Sequence, residues 1–396
     1  MRTRLLALLS GASLVGSVSM VGAVVVAGPA DAATQTCRGL TATIVGTTGD
    51  DDLEGTPLAD VVWLGPGNDR FKGGAGDDVV CGGTGNDAVS GGYGNDTVNG
   101  EAGADRLSGG PGKDYLLGST GADALYGGAD DDRINGGRDK DLLTYVTALH
   151  PITVDGAAGT VDGDGHDVYL QIETLQGTAD ADTMVGGPGP DSFVGVAGDD
   201  TITGNGGDDT LVGAAGTASG GDGNDLVVMK RGTARGDAGT DNIQLSLGAR
   251  GYGGADDDLF RLRDGKATAY GEGGDDTFVV RTRKARPYAN GGTGDDSISF
   301  QGFDRAVRIN LGRGEARWDS TGLATLRSIN LAYGTSYSDV ITGSSGNDYL
   351  SGGGRGDRLS GLSGTDILDG GKGRDIGYGG AGADICSTEV RRGCEV

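Results

Sequence analysis

Residues 82–90 read Gly-Gly-Thr-Gly-Asn-Asp-Ala-Val-Ser, and this nonapeptide decides how the rest of the chain is read. It is a glycine turn, an acid, and a short segment centred on an apolar residue. Eleven such units follow one another without a break from Gly46 to Thr144. The sixth position is always aspartate: Asp51, Asp60, Asp69, Asp78, Asp87, Asp96, Asp105, Asp114, Asp123, Asp132 and Asp141. The eighth is always apolar, from Leu53 through Phe71 and Val80 to Leu143. A fixed period of this length marks a solenoid.

Each position has a physical reason. Glycines at the first, second and fourth places allow backbone conformations closed to other residues and leave carbonyls free for a ligand. The aspartate supplies a hard, charged oxygen, suited to Ca2+ rather than to a soft or transition metal. The last three residues form a strand whose middle side chain points inward. Two nonapeptides then make one coil, and coils stack at about 4.8 Å. Asp51, Asp69, Asp87, Asp105, Asp123 and Asp141 fall on one edge, and Asp60, Asp78, Asp96, Asp114 and Asp132 on the other. Carboxylates stacked this closely repel unless a cation lies between them. Gly/Asp-rich disorder is the competing reading; the unbroken apolar register argues against it when calcium is present and leaves it open when calcium is absent.

Two more arrays keep the register. Residues 177–212 carry Asp182, Asp191, Asp200 and Asp209, and residues 334–387 carry Asp339, Asp348, Asp357, Asp366, Asp375 and Asp384. Leu58, Asp130 and Asp139 replace a fourth-position glycine, and Gly377 replaces an inward apolar residue. Between residues 213 and 299 only one edge keeps the motif, at Asp225, Asp241, Asp258, Asp276 and Asp296. The opposite edge turns basic, in KRGTAR, GARGYG, RDGKATAY and RTRKARPY. Arg231, Arg235, Arg250, Lys266, Arg281, Arg283, Lys284 and Arg286 are expected to form a stacked cationic ladder. Such a strip suits an acidic envelope or matrix polymer, or an acidic neighbouring copy; simple balancing of nearby aspartates is the alternative.

These nonapeptides resemble the hemolysin-type (RTX) calcium-binding repeat, GGxGxDxUx, across about two thirds of the chain that follows the leader. The resemblance implies an all-β parallel β-roll or β-helix with two nonapeptides per coil and Ca2+ between same-edge turns. It makes the sixth-position aspartates, those of 213–299 included, the metal ligands, helped by glycine-turn carbonyls. Same-edge neighbours in the three arrays set an upper guide of about fifteen ions. Those ions would supply about +30, against a formal net charge of -25. The acidity argues against nucleic acid or anionic lipid as main partner.

Arg2 and Arg4 precede the apolar run 5–27, Pro29 and the small residues 30–33. This reads as a secretory signal, residues 1–32, cut after Ala32, with an uncleaved anchor as alternative. Secretion to the exterior, with cell-surface association as an option, is the expectation. Four cysteines, Cys37, Cys81, Cys386 and Cys394, allow three pairings. Their separation favours Cys37–Cys81 and Cys386–Cys394, protecting the end coils in an oxidising exterior. A cleaved Sec signal with cysteine caps departs from the usual family pattern and resembles actinobacterium-like secreted members.

The division is therefore signal 1–32, first array 33–144, insert 145–176, second array 177–212, one-edged region 213–299, insert 300–333, and third array with its disulfide cap 334–396. Both inserts read as distorted coils that continue the solenoid while freeing its turns from calcium. The histidines, His150 and His166, lie in the first insert and read as loop residues. No G-x-S-x-G or H-E-x-x-H occurs, and 32 or 34 residues are too few for a catalytic domain. The reading is a non-enzymatic, calcium-binding structural or adhesive module that folds after export. A Ca2+-dependent polysaccharide lyase or epimerase-like enzyme using a groove on the roll is the alternative.

Overall fold

The computed structural model describes residues 35–320 and 322–394. The expected signal segment 1–32 lies outside the described residues. Strands coil into a parallel β-solenoid of about 19 turns, with no helix among the described residues. The strand Arg70–Ala75 pairs in parallel with Ala88–Tyr93, Phe71 opposite Val89, one coil on. This sheet is called sheet I. The strand between them, Val79–Thr84, pairs with Val61–Pro66 and Thr97–Ala102 in sheet II. Among the described residues, no helix is long and apolar enough to cross a membrane.

Most array strands are longer than the three residues expected. They run through positions seven to nine and on through the first three of the next unit, as in Ala88–Tyr93. Two positions face inward along them: the apolar eighth, here Val89, and the first glycine, here Gly91. The eighth-position side chains form the interior, one per strand, from Val62 and Phe71 to Leu143 and again from Ile341 to Leu368. The turns substituted at Asp130 (φ 74°) and Asp139 (φ 81°) keep the same shape, because both residues adopt the left-handed conformation that glycine takes elsewhere; Leu58 does not adopt it.

The region 213–299 has a wider core. Its sheet I strands turn two side chains inward: Val227 and Met229, Ile243 and Leu245, Phe260 and Leu262, Phe278 and Val280. Facing them in sheet II are Ala234, Gly251, Ala269 and Ala289, small residues that leave room for the stacked Phe260 and Phe278 rings, 4.9 Å apart.

The inserts are not distorted coils. In the first, Thr153–Asp155, Thr160–Asp162 and His166–Leu170 form an antiparallel meander inside sheet II, between Arg133–Arg138 and Thr183–Val185. Sheet I meanwhile passes directly from Leu142–Thr144 to Thr174–Gln176. The second insert repeats this with Arg308–Asn310, Glu315–Arg317 and Leu323–Arg327. Each therefore places three strands in sheet II where an ordinary coil has one. The reason is sequence length: about thirty residues exceed one coil and are too few for two, so the surplus folds back on itself.

Both disulfides pair as expected, Cys37–Cys81 and Cys386–Cys394. The first does not close the end of the solenoid. It fastens the hairpin Thr36–Cys37/Leu40–Thr41 onto the outer face of sheet II, where Arg38 stacks 5.4 Å over the Tyr115 ring. The second does plug the core: Cys386 sits in the inward row opposite Leu368. It also explains Gly377, since a methyl group there would meet Thr388 Oγ1 at 2.8 Å and Cys386 Sγ at 3.3 Å.

Candidate metal ladders along the turns

Each sixth-position aspartate ends a glycine turn and is followed by a strand, so the stack of strands fixes its height. Within a ladder its amide donates to Oδ1 of the next aspartate one coil on, as from Asp69 to Asp87 and from Asp78 to Asp96, both 2.8 Å; the last aspartates of a ladder lack such a successor. The same bond joins Asp209 to Asp225, Asp225 to Asp241, Asp241 to Asp258, Asp258 to Asp276 and Asp276 to Asp296, although those coils vary from 16 to 20 residues. Coil length changes on the far edge, leaving this ladder intact. Fifth-position residues form a second ladder in the opposite sense, for example from the Asn86 amide to Asn68 Oδ1.

The other carboxylate oxygen separates the aspartates into two groups. Among the described residues, twenty buried Oδ2 atoms have no donor: nine in the first array, two in the second, five in 213–299 and four in the third. Asp87 is one of them, 1 % exposed. The six remaining aspartates, Asp51, Asp60, Asp182, Asp191, Asp339 and Asp348, open an array on each edge. Their Oδ2 accepts an amide from four residues back: Thr47, Thr56, Thr178, Gly187, Thr335 and Ser344 respectively. A threonine or serine at the second position supports five of these opening turns.

What surrounds a bare Oδ2 is a second acceptor. A methyl group built on Gly82 would lie 2.5 Å from Asp87 Oδ2 and 2.7 Å from the carbonyl oxygen of Gly100. The first glycine is required because two oxygens converge on the space a Cβ would fill, with no N–H between them. Buried acceptors facing each other without a donor are costly. Burial pushes the carboxyls up accordingly: Asp78 and Asp87 to about 6, Asp105 and Asp114 to about 7, Asp132 and Asp276 to about 8, against the lowering effect of each amide bond. One carboxylate plus carbonyls is an all-oxygen donor set for a hard cation. Among the described residues no three His, Cys, Asp or Glu side chains gather to hold a metal ion, so carbonyls would complete any donor set here.

Sequence reasoning missed three acids that continue the ladders past the arrays. The Asp132 amide donates to Asp167 Oδ1, Asp141 to Glu173 Oε2, and Asp375 to Glu389 Oε2. Asp167 is buried and also accepts from Tyr145 Oη at 2.6 Å. Glu173 was findable, because like the array aspartates it immediately precedes a strand, Thr174–Gln176, with an apolar centre.

The basic residues divide three ways. Arg231, Lys266, Arg281, Lys284 and Arg286 lie in or beside stacked turns, joined by bonds such as Gly265 N to Lys284 O and Arg286 N to Gly265 O. Arg235 and Arg250 lie instead on sheet II strands, Arg235 stacked 4.7 Å over Tyr252. Arg283 is bound by Asp304. The turn at Ser246–Leu247–Gly248 brings no cation, so the ladder is interrupted. Both histidines are exposed, His150 beside Asp164 and His166 bonded to Asp162 at 2.6 Å.

The sequence pattern of the family described as RTX calcium-binding nonapeptide repeat (4 copies) matches residues 45–80, 82–116, 108–143, 171–189, 185–219, 329–354 and 351–386, more than half of the chain. No curated protein matches. Among solved structures, a hyperactive, Ca2+-dependent, β-helical antifreeze protein from an Antarctic bacterium is similar at 17 % identity, with 86 % of this chain and 83 % of that one covered and a TM-score of 0.20.

Proposed function

We propose, for a chain that belongs to the RTX calcium-binding nonapeptide repeat family, that calcium is the switch by which an exported structural or adhesive roll folds. The observation that carries this is the set of twenty buried Oδ2 atoms without donors. Holding Asp132 or Asp276 ionised at neutral pH costs several kcal/mol when the carboxyl titrates near 8. Even a fraction of that cost at each of the nineteen whose carboxyl burial raises exceeds the roughly 5–15 kcal/mol net stability of an ordinary domain. Without a cation the ladders oppose folding at neutral pH; with one bound at each cradle they become part of the core.

The ligands on this reading are the twenty aspartates with bare Oδ2, together with first-glycine carbonyls such as that of Gly100. The six opening aspartates close their own turns. The two-arginine, apolar, small-residue leader 1–32 supports Sec export into millimolar calcium, where the disulfides also form. The basic turns of 213–299 supply a contact strip for an acidic partner. A Ca2+ titration of the chain from Ala33, followed by circular dichroism with Mg2+ as control, tests the proposal. A cooperative, Ca2+-specific gain of strand signal is expected. A strand-rich spectrum in chelator at neutral pH overturns it.

A further inference from the structure

We infer that the coils between residues 230 and 296 dock edge to edge on a second copy of this chain. This rests on the folded roll proposed above and names its acidic partner. The two edges of these coils carry opposite charge. On one edge Arg281, Lys284 and Arg286, with Lys266 one coil before, are exposed and make no ion pair among the described residues. On the other, beside the buried ladder, Asp257, Asp275 and Asp295 are exposed, one per coil. The acidic row is fixed by the backbone: the Asp275 amide donates to Asp257 Oδ1 at 2.6 Å, the Asp295 amide to Asp275 Oδ1 at 2.7 Å, and Asn330 Nδ2 to Asp295 Oδ1 at 2.6 Å. The basic turns are likewise bonded coil to coil.

Turns at opposite ends of the strands cannot meet within one molecule, so the two rows can pair only between molecules. The acidic row repeats at the coil spacing, about 4.8 Å, and the cations occupy two adjacent turns at that spacing, Lys266 on one and Arg281, Lys284 and Arg286 on the next. A second copy therefore presents carboxylates at the pitch that separates those two basic turns. Single exposed ion pairs contribute little, but a register-matched row of fixed carboxylates and several cations fixes orientation and excludes like-charged faces. Because a basic edge meets an acidic edge, the contact is heterologous and leaves both outer edges free. It therefore propagates sideways into an open array.

The test is sedimentation velocity of the mature chain in Ca2+ over a range of concentration and salt. Reversible association at low salt that is lost at high salt is expected. Replacing Arg281, Lys284 and Arg286 by Glu should give a single species. So should replacing Asp257, Asp275 and Asp295 by Lys, and mixing the two variants should restore association. A wild type that sediments as one species at every salt overturns the proposal. So does a reversed variant that associates like wild type. Loss of retention on immobilised polygalacturonate by the Glu variant, with a monomeric wild type, also overturns it and gives the basic edge to an acidic polysaccharide. Circular dichroism of the same samples separates the two readings: a chain unfolded in Ca2+ sinks both, a folded chain that never associates sinks this one alone.

Discussion

Replacing Asp87 by Asn inverts the usual expectation for a buried, hydrogen-bonded residue. Asp87 Oδ1 accepts the Asp69 amide at 2.8 Å, a bond an asparagine oxygen retains. Oδ2 has no donor and faces the carbonyl of Gly100 across the space above Gly82. An amide nitrogen there removes the buried charge and gives that carbonyl a donor. Burial raises the carboxyl from 3.8 to about 6. The folded pKa lies above the unfolded one, so the penalty is absent below about pH 4, grows with pH, and is complete above about pH 6. It then amounts to about 3 kcal/mol. In chelator at pH 8 the Asn variant is therefore the more stable by up to that amount, and its strand signal persists to higher pH. In Ca2+ it lacks an anionic ligand, so the stabilisation gained on adding calcium shrinks by about 3 kcal/mol per site lost at a hundredfold excess over Kd. Circular dichroism during urea unfolding, with chelator and with Ca2+, reads both. A variant less stable than wild type in chelator, or one whose calcium gain is unchanged, refutes the assignment of Oδ2 to a cation.

Gly82→Ala fills the cradle from the other side, and equilibrium dialysis should show a lower Ca2+ stoichiometry; Gly189→Ala, where a methyl group meets nothing within 4 Å, should leave it unchanged. In chelator, strand signal should rise as pH falls from about 8 to about 5, because carboxyls raised to between about 6 and about 8 take up protons and lose their burial penalty. Saturating Ca2+ should flatten that dependence, and a chelator profile without pH response would contradict the buried-charge account. Tyr145→Phe removes the only side-chain donor to buried Asp167 among the described residues, and should cost about 1–3 kcal/mol. Faster hydrogen exchange across residues 145–170 with unchanged calcium stoichiometry is the expected readout.

The coil was legible because its signal repeats. Asp87 and Val89 in one unit say little, but the same pair recurring one coil on fixes pairing, inward face and edge together. The pairing of the cysteines was legible for a similar reason, since Cys37 and Cys81 lie far along the axis from Cys386 and Cys394. The meanders were not. Val154 opposite Val161 and Val161 opposite Asp167 are antiparallel contacts within one insert, and nothing periodic announces them. Nor was the split between opening and interior aspartates: Thr56, Thr178 and Thr335 stand second in opening turns, but Ser119 and Asn205 stand second in interior ones and Gly187 in an opening one. It shows only when the second-position amide is seen to reach Oδ2.

The region 213–299 shows what a coil needs once a calcium edge is given up. In the arrays one apolar side chain per strand suffices because ions at both turns would hold the coil. Where the second edge loses its aspartate, sheet I gains a second inward row, Met229, Leu245, Leu262 and Val280, and alanines such as Ala249, Ala267 and Ala285 fill the turn beneath the surface. Each fully buried side chain of the larger kind contributes about 1.5–3 kcal/mol, comparable with the mass-action contribution of one well-filled ion site. On the proposed assignment an apolar row thus stands in for a cation row at similar energy. The exchange releases the turn from its ligand duty, and that freedom is what allows Lys266, Arg281, Lys284 and Arg286 to occupy an edge of a chain whose formal net charge is -25.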